Sequence, residues 1–368
     1  QKTAYEIGVR LVGSEMCIRD RNNIQLIYDL VGFVIVFFLI YLFKTTAGKP
    51  KKPKIDKHLA NFISQKKALS ILLVPILLAL ASPEIDVVGV TCVAGNVPLH
   101  LTARNALLVC ELAGRPDVKV FSGCDRPMVR KLVTAEAIHG ETGLDGPQWD
   151  PPTGQLQDQH AVDWLVETLL NAEDKEITLC PVGPLTNIAM ALVREPKIAS
   201  KVDQIVSMGG GYFVGGNITP AAEFNIFVDP HAADVVYRSG IPIVAMPLDV
   251  THKALMTQDW IQTLEELGTE VGKKSSQLLS FYNRFDLERY GMAGSPVHDP
   301  ATIAYLIEPD LYTGKEVYGE VETRSSLTMG MTVVDYWGAR RKEPNCLWVS
   351  EVNDEGFFQL MYERLATL

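Results

Sequence analysis

After residue 85 the chain settles into short apolar, β-branched runs separated by stretches whose apolar residues recur at helical spacing, and this alternation restricts the fold more than any other feature. The runs 87–93, 118–121, 177–181, 204–208 and 243–246 read as buried strands, and 101–113, 161–172, 185–194 and 230–239 as the helices between them. Strand, helix, strand in regular succession predicts an α/β fold with a mostly parallel central sheet and helices on both faces. Ligands of such folds collect at the carboxyl ends of the strands. Asn96 follows VTCVAG there, Gly183 follows TLCPV, Gly209, Gly210 and Gly211 follow IVSM, and Asp249 follows VAMPL. No G-x-G-x-x-G opens a helix and no Walker loop is present, which disfavours a phosphate-bearing cofactor.

Three segments concentrate polar groups beyond what packing requires. In GGNITPAAEFN two amides and a carboxylate, Asn217, Glu223 and Asn225, fall within nine positions of a loop rich in Gly and Pro. Such a set can grip several hydroxyls of a sugar, although Asn in a loop also serves its own backbone. In SPVHDP, Asp299 before Pro300 reads as a helix N-cap with a proline in the first turn, and Asp229 before Pro230 is the same signal, which capping explains fully. Capping does not explain the adjoining His298, a residue type able to donate a proton in the physiological range. Asn96 at a strand end and His139 in the loop HGETGL are weaker candidates.

The chain carries 34 basic and 44 acidic side chains, a net charge of -10, distributed unevenly. Residues 1–57 hold ten basic and five acidic groups, leaving 24 against 39 for the remainder, so the body is acidic and unsuited to nucleic acid. The six cysteines show neither a C-x-x-C pair nor a repeating spacing, which fits free thiols in a reducing compartment. Residues 24–43 are apolar over nearly a bilayer's span, with six lysines closely following, so a native segment here would anchor a cytoplasmic domain to a membrane. Residues 11–21, LVGSEMCIRDR, resemble translated sequencing-library adapter more than a protein segment. The organisation read from the sequence is therefore a non-native leader at 1–22, an apolar segment at 23–44, a lysine-rich linker and divergent segment at 45–75, and the folded domain at 76–368.

Taken in order and spacing, LALASPEIDVVGVTCVAGNVPLHLTARNA, IHGETGL, CPVGPLTNIAMAL, MGGGYFVGGNITPAAEFNIFVDPHAAD and SPVHDPATIAYLIEPDLY resemble the inosine-uridine-preferring nucleoside hydrolases. The resemblance extends from Ile76 to the C-terminus. It implies a calcium ion at the strand ends, hydrolysis of the N-glycosidic bond of ribonucleosides to ribose and free base in nucleoside salvage, and a homodimer or homotetramer. It further implies that Asn96, Asn217, Glu223 and Asn225 hold ribose hydroxyls and that His298 faces the departing base. Asp299 and the backbone carbonyl of Val182 would bind calcium, His139 would sit near the base, and Tyr282 would add an aromatic wall. Charge builds on the ribose ring as the bond breaks, so oxygens around the sugar favour that chemistry.

One motif of that family is missing. An Asp-rich loop, D-x-D-P-G-x-D-D, belongs about a dozen residues before LLALASPEI, where this sequence reads QKKALSILLVP and puts Lys67, Ile71 and Leu72 where carboxylates belong. The general base and most anionic calcium ligands go with it, and the first sheet strand is expected to be absent as well. The expected outcome is a nucleoside hydrolase impaired as written. The alternative is a non-catalytic, membrane-tethered nucleoside- or ribose-binding homologue.

Overall fold

The computed structural model describes residues 73–135, 142–290 and 294–368, with the side chains of 282 and 284–290 left out. The apolar segment at 24–43, the lysine-rich linker, the segment at 65–72 and His139 lie outside the described residues. Helix α1 (Leu73–Ala81) leads through a turn to β1 (Val90–Cys92), α2 (Leu99–Leu112) and β2 (Val120–Ser122). Next come α3 (Ala161–Asn171), β3 (Ile177–Leu179), α4 (Thr186–Arg194), β4 (Val202–Met208), α5 (Phe224–Val228), α6 (Pro230–Tyr237) and β5 (Ile243–Met246). Every strand and helix expected between 87 and 246 is present, most shifted by one to three residues at an end.

Beyond β5 the chain runs through α7 (Leu248–Thr251), β6 (Leu255–Met256), α8 (Gln258–Glu266), α9 (Glu270–Tyr290), β7 (Ser295–Pro296) and α10 (Pro300–Ile307). It ends in β8 (Tyr312–Val321), β9 (Thr332–Asp335), β10 (Cys346–Val352) and α11 (Asp354–Leu365). Six strands form a mixed sheet in the order β3-β4-β5-β10-β8-β9, parallel from β3 to β10 and antiparallel from β10 to β9. The chain's last strand thus enters the middle of the sheet, beside β5. β1 and β2 pair in parallel as a separate two-stranded ladder.

Both faces of the six-stranded sheet are covered, which is why β5 at its centre is apolar and buried at every position. In β5, Val244 and Met246 face the core that holds α1, α10 and α11, whereas Ile243 and Ala245 face the core that holds α3, α4 and α6. β10 divides the same way, Val349 to the first side and Cys346 with Trp348 to the second. Helix α1 belongs to this interior, because Leu73, Val74, Leu77 and Leu78 are all buried. Cys92, Cys110, Cys124, Cys180 and Cys346 are free thiols.

No helix among the described residues is long and apolar enough to cross a membrane. Truncating a buried leucine costs about 2–5 kcal/mol through lost transfer energy and a cavity. Leu77→Ala is accordingly expected to lower the unfolding free energy by about 3 kcal/mol. A shifted urea midpoint at unchanged slope would show it, and no shift would mean that α1 is not part of the cooperative core.

Candidate active site

The strand ends converge because their loops are bolted together by buried side chains. Asn187, at the start of α4, donates from Nδ2 to the Cys92 carbonyl at 2.9 Å and accepts from Cys124 N at 2.8 Å, which ties the ends of β1 and β2 to α4. Asp229 caps α6 through Ala232 N at 3.1 Å, as its place before Pro230 predicts. Capping is not its whole role, however. Its second oxygen accepts from Met128 N and from the Thr186 hydroxyl, both at 2.8 Å, so it also joins α4 and the loop after β2 to α6.

Asn96 lies half-buried in the loop after β1, whose Gly95 packs so closely on Pro184 that a Cβ there would meet the ring at 2.8 Å. Val182, half-buried, sits two residues before that proline at the end of β3. The Pro181 carbonyl accepts from Met208 N at 3.0 Å, which continues the row to the end of β4.

At that end the chain turns through Gly209, Gly210 and Gly211. Gly210 has φ +90°, and a Cβ on it would lie 2.9 Å from the Trp348 ring, so conformation and space both require glycine. Two buried carboxylates hold the turn. Glu223, at the N-cap of α5, accepts from Gly210 N at 3.1 Å, Asn225 N at 3.0 Å and Ile226 N at 3.2 Å. Asp249, in α7, accepts from Tyr212 N, Phe213 N and Val214 N and from Trp348 Nε1, all within 3.0 Å. Nearby, Asn225 donates to the Met208 carbonyl at 3.2 Å. The exposed Asn217 accepts from Phe224 N at 2.9 Å, closing its loop on α5.

The remaining candidates arrive from β7. The β6–β7 ladder and a 3.0 Å bond from Val297 N to the Ala254 carbonyl lay the 297–299 segment against the end of α7. His298 Nδ1 lies 2.7 Å from the Thr251 hydroxyl, and its ring centre is 5.7 Å from that of His252. Burial pushes His252 below the ordinary imidazole range. Asp299 occupies the N-cap position of α10, yet it is already helical (φ -64°, ψ -40°) and its side chain makes no capping bond. Capping therefore does not account for a carboxylate that is only 6% exposed.

Burial pushes the Asp299 carboxyl up to about 8, and the Glu223 carboxylate pushes the same way. Glu223 is itself raised to about 7 by burial, against the backbone N–H donors that pull it down. Glu223 and Asn225 thus stand together beyond the end of β4, Asp299 and His298 follow β7, Asn217 is on the loop before α5, and Asn96 and Val182 follow β1 and β3. Tyr282 falls within α9, but its side chain, like His139, lies outside the described residues. Sequence reasoning missed Thr251, Asn187 and the anchoring role of Asp249. Their common signal is a buried polar residue at a strand or helix end, and only Asp249 stood out that way.

The fit of a calcium ion can be judged from the donors. Calcium takes six to eight oxygens. Among the described residues no three His, Cys, Asp or Glu side chains converge as a metal group, and both Glu223 oxygens already accept backbone N–H bonds. Asp299 and the Val182 carbonyl alone do not make such a cage, so the described residues do not fit calcium by themselves.

A sequence profile described as Inosine-uridine preferring nucleoside hydrolase matches residues 73–359. An uncharacterized protein of Schizosaccharomyces pombe is 47% identical over 292 residues, covering 79% of this chain and 94% of its own length. The pyrimidine-specific ribonucleoside hydrolase RihA of Photobacterium profundum is 43% identical over 294 residues, covering 80% and 94%. Among solved structures, the purine-preferring ribonucleoside hydrolase from Gardnerella vaginalis superposes with a TM-score of 0.76 at 29% identity, covering 82% of this chain and 96% of that one. Fold and similarity together define a glycosidase of the nucleoside hydrolase class. The chain belongs to the inosine-uridine preferring nucleoside hydrolases.

Removing the Asp249 carboxylate would leave four N–H groups without their charged acceptor. Asp249→Ala is expected to destabilise the fold by about 3 kcal/mol. Denaturant unfolding measures the loss. Faster hydrogen exchange confined to 211–214 would locate it.

Proposed function

We propose that the hollow at the ends of β1, β3, β4 and β7 recognises ribonucleosides and is built to cleave their N-glycosidic bond to ribose and free base. We propose equally that the chain as written carries out this hydrolysis negligibly. The observation that carries the reading is that two acidic side chains at the strand ends, Glu223 after β4 and Asp299 after β7, are both buried, and that Asp299 makes no capping bond. Glu223 is satisfied by backbone N–H groups, whereas Asp299 makes no capping bond, and a buried acid without donors costs stability, so the hydroxyls of a pentose suit it as donors. Asn96 and Asn217 extend the grip along the row of strand ends.

In the reaction, the bond from C1′ to the base nitrogen breaks, a water oxygen bonds to C1′, and the base gains a proton. The residues present account for part of this. Glu223 and Asn225 hold the sugar beneath the electron-poor ring, and His298 faces the base as a donor. The part left without a residue is activation of the water, because the Asp-rich loop of the family does not occur in the sequence. When bound, calcium would supply a Lewis acid for that water, and the oxygens described fall short of holding it. Among the described residues, Asp299 and the Val182 carbonyl would be its ligands. The free thiols suit a reducing, cytoplasmic setting.

Titration calorimetry with calcium is expected to show weak binding, and a ribose-release assay on uridine and inosine to show negligible turnover. Robust turnover would overturn the impairment. Ribose binding without cleavage would support a surviving grip. Asn96→Ala removes one neutral hydrogen-bonding group, worth about 1 kcal/mol, so ribose affinity is expected to fall about fivefold. An unchanged affinity would remove Asn96 from the site.

A further inference from the structure

Thr251 is the last residue of α7 and is 1% exposed. Among the described residues its hydroxyl has one hydrogen-bond partner, His298 Nδ1 at 2.7 Å. A buried hydroxyl can leave a lone pair idle at little cost, but an O–H without an acceptor forfeits the full desolvation of that group. The hydroxyl proton therefore points at Nδ1. A ring nitrogen that accepts carries no proton of its own, so the neutral imidazole holds its hydrogen on Nε2.

We propose that Thr251 is a positioning residue for His298, fixing the neutral ring as the Nε2–H tautomer and presenting that N–H away from α7. The proposal deepens the functional reading above, on which the meaning of that N–H rests: it would donate a hydrogen bond to the leaving base. No proton transfer is needed for this role. In the imidazolium the same hydroxyl can rotate and accept from Nδ1–H, so a hydroxyl supports the ring in both states, whereas an apolar side chain supports neither. Placement is fixed from two directions. α7 is held by the bonds of Asp249 to Trp348 and to the 212–214 backbone, and the 297–299 segment by the β6–β7 ladder. The His252 ring approaches at 5.7 Å between ring centres without replacing the hydroxyl contact.

The test is a long-range proton–nitrogen spectrum of the full chain with labelled histidines at about pH 8, above the usual imidazole range. A His298→Gln variant assigns the signals. Wild type and Thr251→Ser are expected to show a pyridine-type Nδ1 and a pyrrole-type Nε2 for His298. Thr251→Val is expected to lose that pattern, both nitrogens moving toward the average of the two tautomers. An Nδ1–H tautomer in wild type, or an unchanged pattern in Thr251→Val, would overturn the proposal. If the valine variant does not fold, wild type and Thr251→Ser decide it, since both must show the Nε2–H form. The readout needs no turnover. Failure to bind uridine would sink the functional reading and leave the tautomer result standing.

Discussion

Backbone N–H groups bound to buried carboxylates hold this molecule's strand ends in place. The turn that leaves β4 is gripped from one side by Glu223 and from the other by Asp249, and both act at main-chain nitrogen. An ionised acceptor makes each such bond stronger than a neutral pair. The arrangement also explains the glycines. A turn pressed against the Trp348 ring has no room for a Cβ at Gly210, and the indole that fills the space donates its own N–H to Asp249. Sheet, turn and helix are thus joined through two acidic side chains, and the candidate site is what that junction leaves open.

The same junction sets the site's electrostatics. Glu223 is held by N–H donors, whereas Asp299 has no capping bond although it occupies the position where one is expected. A helix start whose acid does not cap is a local rule broken, and broken rules concentrate where a fold serves something besides its own stability. The acid follows His298, the residue for which the sequence offered no structural explanation.

Much of the architecture was legible because parallel strands buried on both faces read as near-continuous apolar runs, as β5 does from Ile243 to Met246. The antiparallel addition was not. β8 reads as polar, with Thr313, Lys315 and Glu316 exposed, and nothing local reveals that β10 inserts beside β5. At the site, Glu223 and Asn225 were legible from the density of polar groups in one loop. Asp249 appeared only as a strand-end acid, since its partner Trp348 is 99 residues away. Thr251 carried no local signal at all, because its meaning lies in His298, 47 residues on.

The placement of β10 has a consequence for how the chain is made. Synthesis runs from the N-terminus, so β5 is complete while the strand that covers its flank has yet to be translated. Until Cys346–Val352 emerges, one edge of an entirely apolar strand is open, and an open edge of that kind pairs readily with a stranger. The indole that wedges beneath Gly210 arrives with the same late segment. A ribosome that stalls before it would release a chain already rich in secondary structure but without the indole that packs on Gly210, and in need of a chaperone.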